Sequence, residues 1–92
     1  MNPHDIPFLP RGVRLHQDRV RDQWVLLAPE RAISLDQIGH AILKEIDGKS
    51  CFGDITGSLA KTYNAPIEQI VKDSAGFLGA LLDRRFLELA HD

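Results

Sequence analysis

The sequence predicts an α+β fold, a small three-stranded antiparallel meander followed by three helices, winged helix-turn-helix-like in outline. Three observations carry this expectation. Short apolar runs with alternating or β-branched character fill residues 11–34. A helix-start signal stands at Ser34-Leu35-Asp36-Gln37. Beyond it the apolar residues recur at three and four positions instead of two.

Val13 and Leu15 alternate with Arg14 and His16, as in a half-buried strand. Gln17, Asp18 and Arg19 supply a polar turn. Trp24-Val25-Leu26-Leu27 then reads as a central strand, rich in aromatic and branched side chains. Pro29, between Ala28 and Glu30, supplies the fixed φ of a tight turn. Arg31 to Ile33 is long enough for a third, short strand.

Ser34 and Gln37 fit a capping box, with Ile33 and Ile38 as its hydrophobic staple. Leu35, Ile38, Ile42 and Ile46 fall on one helical face, and Gly48 suits the stop. Phe52, Ile55, Leu59 and Tyr63 mark a second helix to about Asn64. Pro66 opens a third, whose apolar residues run from Ile67 through Leu82. Phe86, Leu87 and Leu89 form either a closing strand or a packed tail. At the other end Pro3, Pro7 and Pro10 predict a flexible N-terminal arm over 1–10, leaving 11–92 as the folded domain.

Ninety-two residues suit one domain, and a formal charge of −2 gives no general attraction to nucleic acid or anionic lipid. Neither partner is expected. The single cysteine, Cys51, excludes an internal disulfide framework and suits a reducing, cytoplasmic setting. No stretch approaches the roughly 20 apolar residues of a membrane span.

Catalytic chemistry is hard to place. His4, His16, His40 and His91 share no i, i+3 or i+4 spacing and have no cysteine pair beside them. Neither a metal site nor a cofactor is therefore expected, and the histidines read as solvated. Asp73-Ser74-Ala75 is similar to the attachment site of acyl carrier proteins, but Ser74 lies inside a helical stripe, whereas the carrier serine opens a helix. A winged-helix DNA-binding regulator is the alternative from another class. The third helix, with Glu68, Gln69, Lys72 and Asp73 as its main polar residues, is poorly charged for that work. The chain does not read as an enzyme. A three-strand meander leaves edges that can accept another strand, and the third helix has more apolar residues than one stripe needs. Periodicity alone does not separate groove from core there.

The string Trp24-Val25-Leu26-Leu27-Ala28-Pro29-Glu30-Arg31 resembles the PqqD family of pyrroloquinoline quinone biosynthesis. The likeness extends to Pro10-Arg11-Gly12-Val13-Arg14-Leu15, Leu35-Asp36, Asp47-Gly48, Leu59-Ala60, Ala65-Pro66 and Phe77-Leu78. It departs at Ser50 to Asp54 and at Arg85-Phe86, where similar chains commonly place a glycine after the third helix. The resemblance implies a peptide chaperone, a RiPP recognition element that binds the precursor peptide PqqA and presents it to the radical SAM enzyme PqqE. In related domains the peptide adds to the third strand and lies against the third helix. Carried over, the peptide-binding residues are Arg31, Ala32, Ile33 and Ser34 on the strand, with Ile70, Val71, Ser74 and Leu78 on the helix. Pro29 sets the hairpin. Glu30 and Arg31 pair with each other, with the enzyme or with the peptide. A monomer or weak dimer is expected.

Overall fold

The computed structural model describes residues 1–90. His91 and the end of the expected domain lie outside them. The elements run β1 (Ile6–Phe8), β2 (Arg14–Asp18), β3 (Gln23–Ala28), β4 (Arg31–Leu35), α1 (Gln37–Lys44), α2 (Phe52–Tyr63), α3 (Ile67–Asp83) and β5 (Glu88–Ala90). The expected meander is β2-β3-β4, antiparallel throughout and in sequence order.

Register follows from the apolar alternation. Leu15, Leu26 and Ile33 stand opposite one another across the three strands and face the core. His16, Val25 and Ser34 form the neighbouring row on the outer face. The turns are set locally. Asp18 Oδ1 accepts from the N–H of Val20 at 3.1 Å and of Arg21 at 3.3 Å. Pro29 and Glu30 link β3 to β4, with Glu30 at φ 60°, the positive φ that a type II turn has after its leading Pro. The core lies between this sheet and the helices. Leu26, Leu43, Phe52, Ile55, Leu78, Phe86 and Leu87 fill it, each stabilising the fold by about 1.5–3 kcal/mol relative to exposure.

Two expectations change at the first helix. Its cap is Asp36, whose Oδ1 accepts from Gly39 N–H at 2.6 Å. Ser34 is still in β4, and its hydroxyl accepts instead from Gln23 Nε2 at 3.2 Å. Gly39, Ile42 and Leu43 turn inward, while Ile38, in the first turn, is left 67% exposed. Gly39 has a packing reason, because a Cβ there would stand 3.1 Å from the Phe77 ring of α3. The helix also stops early, with Glu45 as its C-cap. Gly48, at φ 78°, belongs to the following loop. There the N–H groups of Ser50 and Lys49 bond Asp47 and hold its carboxyl below the usual range.

The N-terminal segment is extended, but it is tied down where a flexible arm was expected. β1 pairs with β5 in a second, two-stranded sheet, so Phe86 to Leu89 leads into a closing strand. Residues before β1 also serve α2, whose N-cap Cys51 offers no side-chain bond. Phe52 N–H donates to Asp5 O at 2.7 Å and Gly53 N–H to Pro3 O at 2.9 Å. Two of the donors that every helix start leaves unpaired are thus met by the arm's carbonyls. The Ser50 to Asp54 departure is explained by this substitution of backbone for a capping side chain.

The other departure is explained at the end of α3. Arg85 adopts φ 63°, and Phe86 N–H reaches back to Leu81 O at 2.9 Å. This is the reversal in which glycine is favoured, because a Cβ crowds the following carbonyl. Arg85→Gly is therefore expected to raise stability by about 0.5–1 kcal/mol, shifting Tm up by a few degrees. A thermal melt of the purified variant against the parent checks this.

Candidate functional site

β4 is an edge strand, and among the described residues β3 is its only strand neighbour. Ala28 and Arg31 close the two-residue turn and form the first register pair. Hydrogen-bonded and non-bonded pairs alternate along an antiparallel ladder. With the closing pair bonded, Leu26–Ile33 and Trp24–Leu35 are bonded pairs as well. The N–H and C=O of Ala32 and Ser34 consequently point away from β3. Both residues are exposed, whereas Ile33 is half-buried against the core. The edge thus offers two outward donors and two outward acceptors.

Arg31 is engaged inside the chain. Its Nη1 donates to the Arg84 carbonyl at 2.7 Å, and its guanidinium lies 4.2 Å from the centroid of the Phe86 ring. Arg84 approaches the same ring at 5.4 Å. A cation at the carbonyl end of a helix is favourable, and the ring contact adds about 0.5–1 kcal/mol. The effect is to fasten the start of β4 to the end of α3. The Arg31 partner is thus the Arg84 carbonyl, while Pro29 and Glu30 stand exposed at the hairpin tip.

The helix wall divides. Leu78 is wholly buried in the core and does not line the cavity between the helices, so it forms no part of the groove. Its position between Ser74 and Leu81 on the inner face of α3 accounts for this. Val71 is exposed at 37%. Ile70 and Ser74 line a cavity of about 400 Å³, together with Gln37, Ile38, Ala41, Ile42, Leu59, Tyr63 and Asp73. This cavity lies where α1, α2 and α3 meet. Its α1 wall starts close to the strand in sequence, since Asp36 alone separates Leu35 of β4 from Gln37. Ile38, Tyr63, Ile67 and Val71 add exposed apolar surface on the same three helices. Apolar patches of this kind mark binding surfaces. Sequence reasoning missed Gln37, Ile38, Ala41, Ile42, Leu59, Tyr63 and Asp73. No local signal marked them, because periodicity puts Ile38 on the face of Ile42 and only tertiary packing leaves it exposed.

Trp24 and His40 hold α1 on the sheet. Their rings stack with centroids 4.1 Å apart and planes inclined by 11°. His40 is thus half-buried where a solvated histidine was expected. Among the described residues no group of three or more His, Cys, Asp or Glu side chains is placed to hold a metal. Nor is any helix long and apolar enough to cross a membrane.

Desolvation lowers the His40 pKa from its ordinary value, and Lys44 lowers it further. The folded chain therefore favours neutral imidazole more than the unfolded chain does. Below about pH 6.5 the unfolded state binds more protons, so stability is complete above that value and falls as pH drops toward the folded pKa. His40→Phe keeps a ring against Trp24 and removes the proton site. Denaturant titrations between about pH 7 and pH 5 are expected to show a shallower loss of stability in that variant.

Known proteins share this fold. The family model for "Coenzyme PQQ synthesis protein D (PqqD)" matches residues 23–87. A "PqqA binding protein" of Rhizobium meliloti is 47% identical over 81 residues, covering 88% of this chain and 83% of the relative. The solution structure of the PqqD truncation of Methylobacterium extorquens PqqCD, a functional and stand-alone RiPP recognition element, superposes with a TM-score of 0.81. It is 44% identical, over 95% of this chain and 93% of that one. The crystal structure of PqqD from Xanthomonas campestris gives a TM-score of 0.62 at 38% identity, over 97% and 99% of the two chains.

Proposed function

We propose, from the fact that this chain belongs to the PqqD family, that it binds the PqqA precursor peptide in pyrroloquinoline quinone biosynthesis by adding it to β4. The observation that carries this reading is the open edge of that strand. Outward N–H and C=O groups at Ala32 and Ser34 give main-chain hydrogen bonds that do not depend on the peptide's side chains. Side-chain pockets beside the edge then supply selectivity. A peptide that is disordered when free loses about 2–5 kcal/mol on being ordered, so the edge alone is a weak site and neighbouring apolar contacts are needed. Ile70 and Ser74 contribute those contacts from the cavity, and Val71 from the exposed surface beside them.

Relatives of this chain are named for PqqA binding, which supports the choice of peptide. The bound peptide is handed to the radical SAM enzyme PqqE, and the exposed hairpin tip at Pro29 and Glu30 is suited to meet that enzyme. One open edge serves one peptide, so a monomer suffices. A free thiol at Cys51 fits a cytoplasmic setting.

Proline substitution tests the edge at single-residue resolution. Ala32→Pro and Ser34→Pro each remove a donor that faces outward, so the hairpin bonds to β3 survive. Both variants are expected to fold and to weaken PqqA binding by about tenfold or more. Ile33→Pro removes a donor that faces β3, so it is expected to loosen the hairpin itself and lower Tm. Titration of each folded variant with labelled PqqA checks the scheme. Unchanged affinity in folded Ala32→Pro and Ser34→Pro would rule out strand addition at β4.

A further inference from the structure

The interhelical cavity holds an anomaly. Ser74 is 1% exposed, and among the described residues its Oγ has no hydrogen-bond partner. A buried hydroxyl without a partner is destabilising in a resting structure and calls for a reason. The other polar groups lining the cavity are differently placed. Asp73 is exposed, with its carboxylate bonded to Gln69 Nε2 at 3.0 and 3.1 Å; Tyr63 is exposed at the end of α2 and Gln37 at the start of α1. Between them the walls are Ile38, Ala41, Ile42, Leu59 and Ile70.

We infer that this cavity takes one side chain of the added peptide, an apolar body with a neutral hydroxyl or amide at its tip, and that Ser74 reads the tip. The inference rests on the peptide-binding function proposed above and adds a specificity-determining residue to it. A volume of about 400 Å³ lies toward the lower end of the range for ligand sites and has ample room for one large side chain. The apolar walls select the body. Ser74 can both donate and accept, so it suits a phenol, an alcohol or a carboxamide. An anionic tip is disfavoured, because it would lose its hydration among apolar walls with the Asp73 carboxylate nearby. The strand edge and the cavity are consecutive along the chain, with Asp36 alone between Leu35 at the end of β4 and Gln37 at the cavity. A peptide leaving the edge past Leu35 meets the cavity next. The edge supplies affinity regardless of sequence, and the cavity supplies register.

Ser74→Ala separates this role from a structural one. Removing an unpartnered buried hydroxyl is expected to leave the thermal midpoint of the free chain unchanged or raised. The same change is expected to weaken PqqA binding between about twofold and tenfold, the range of one neutral hydrogen bond. The partner is found with PqqA variants in which each hydroxyl or amide side chain is replaced, one at a time, by its apolar counterpart. One such peptide is expected to lose affinity for the parent chain and to lose nothing further with Ser74→Ala, the mark of a coupled pair. If Ser74→Ala binds every peptide as the parent does, or no peptide variant couples to it, the anchor role is overturned even where Ala32→Pro still weakens binding. If the parent chain does not bind PqqA at all, the proposed function falls and this inference with it.

Discussion

A backbone N–H or C=O must be paired or hydrated, and β4 leaves its outward groups at Ala32 and Ser34 to water. The rest of the structure bears on that constraint. An open edge is a hazard in a soluble chain, since any extended segment can add to it. This one is short, with Asp36 ending the strand and α1 beginning at once. Only a brief, well-placed segment can be accommodated. The same shortness keeps the edge's own contribution small, and adjacent side-chain pockets must supply what it lacks.

Several contacts serve to hold the edge in a fixed place beside the helices. Arg31 joins the first residue of β4 to the last carbonyls of α3 and to the Phe86 ring. Asp36 starts α1 immediately after the strand, and the Trp24–His40 stack presses that helix onto β3. The N-terminal segment acts at greater distance. Its carbonyls satisfy the first donors of α2, which supplies Leu59 and Tyr63 to the cavity. The tethered arm, the helix caps and the cation on the aromatic ring therefore converge on a surface that carries the outer edge of β4 and the interhelical cavity.

Much of the fold was legible in the sequence because its signals are local. Alternation in β2, the apolar run of β3 and the Pro29 turn each depend on neighbours a few residues apart. All three strands form about those signals, although Gln17 and Asp18, expected in the turn, extend β2, and Ser34 and Leu35 extend β4. What escaped depends on distant partners or on phase. The choice between Ser34 and Asp36 as cap was decided by whether Leu35 is strand or helix, a matter of burial that the capping motif does not contain. Ile38 shares a face with Ile42, and only packing shows it at the surface, on the α1 wall of the cavity. Leu78 shares a periodic stripe with Ile70 and Ser74, and only packing shows it sealed inside. The segment with prolines at 3, 7 and 10 reads as disorder because the groups that its Pro3 and Asp5 carbonyls and its strand β1 serve, at Gly53, Phe52 and β5, are remote in sequence.

Residue-resolved amide hydrogen exchange, with and without saturating PqqA, addresses the open edge most directly. The account expects the Ala32 and Ser34 amides to exchange readily in the free chain and to become strongly protected in the complex. Ile33, already bonded toward β3, should change far less. Exchange at Ala32 and Ser34 that stays as fast in the saturated complex as in the free chain would contradict the account.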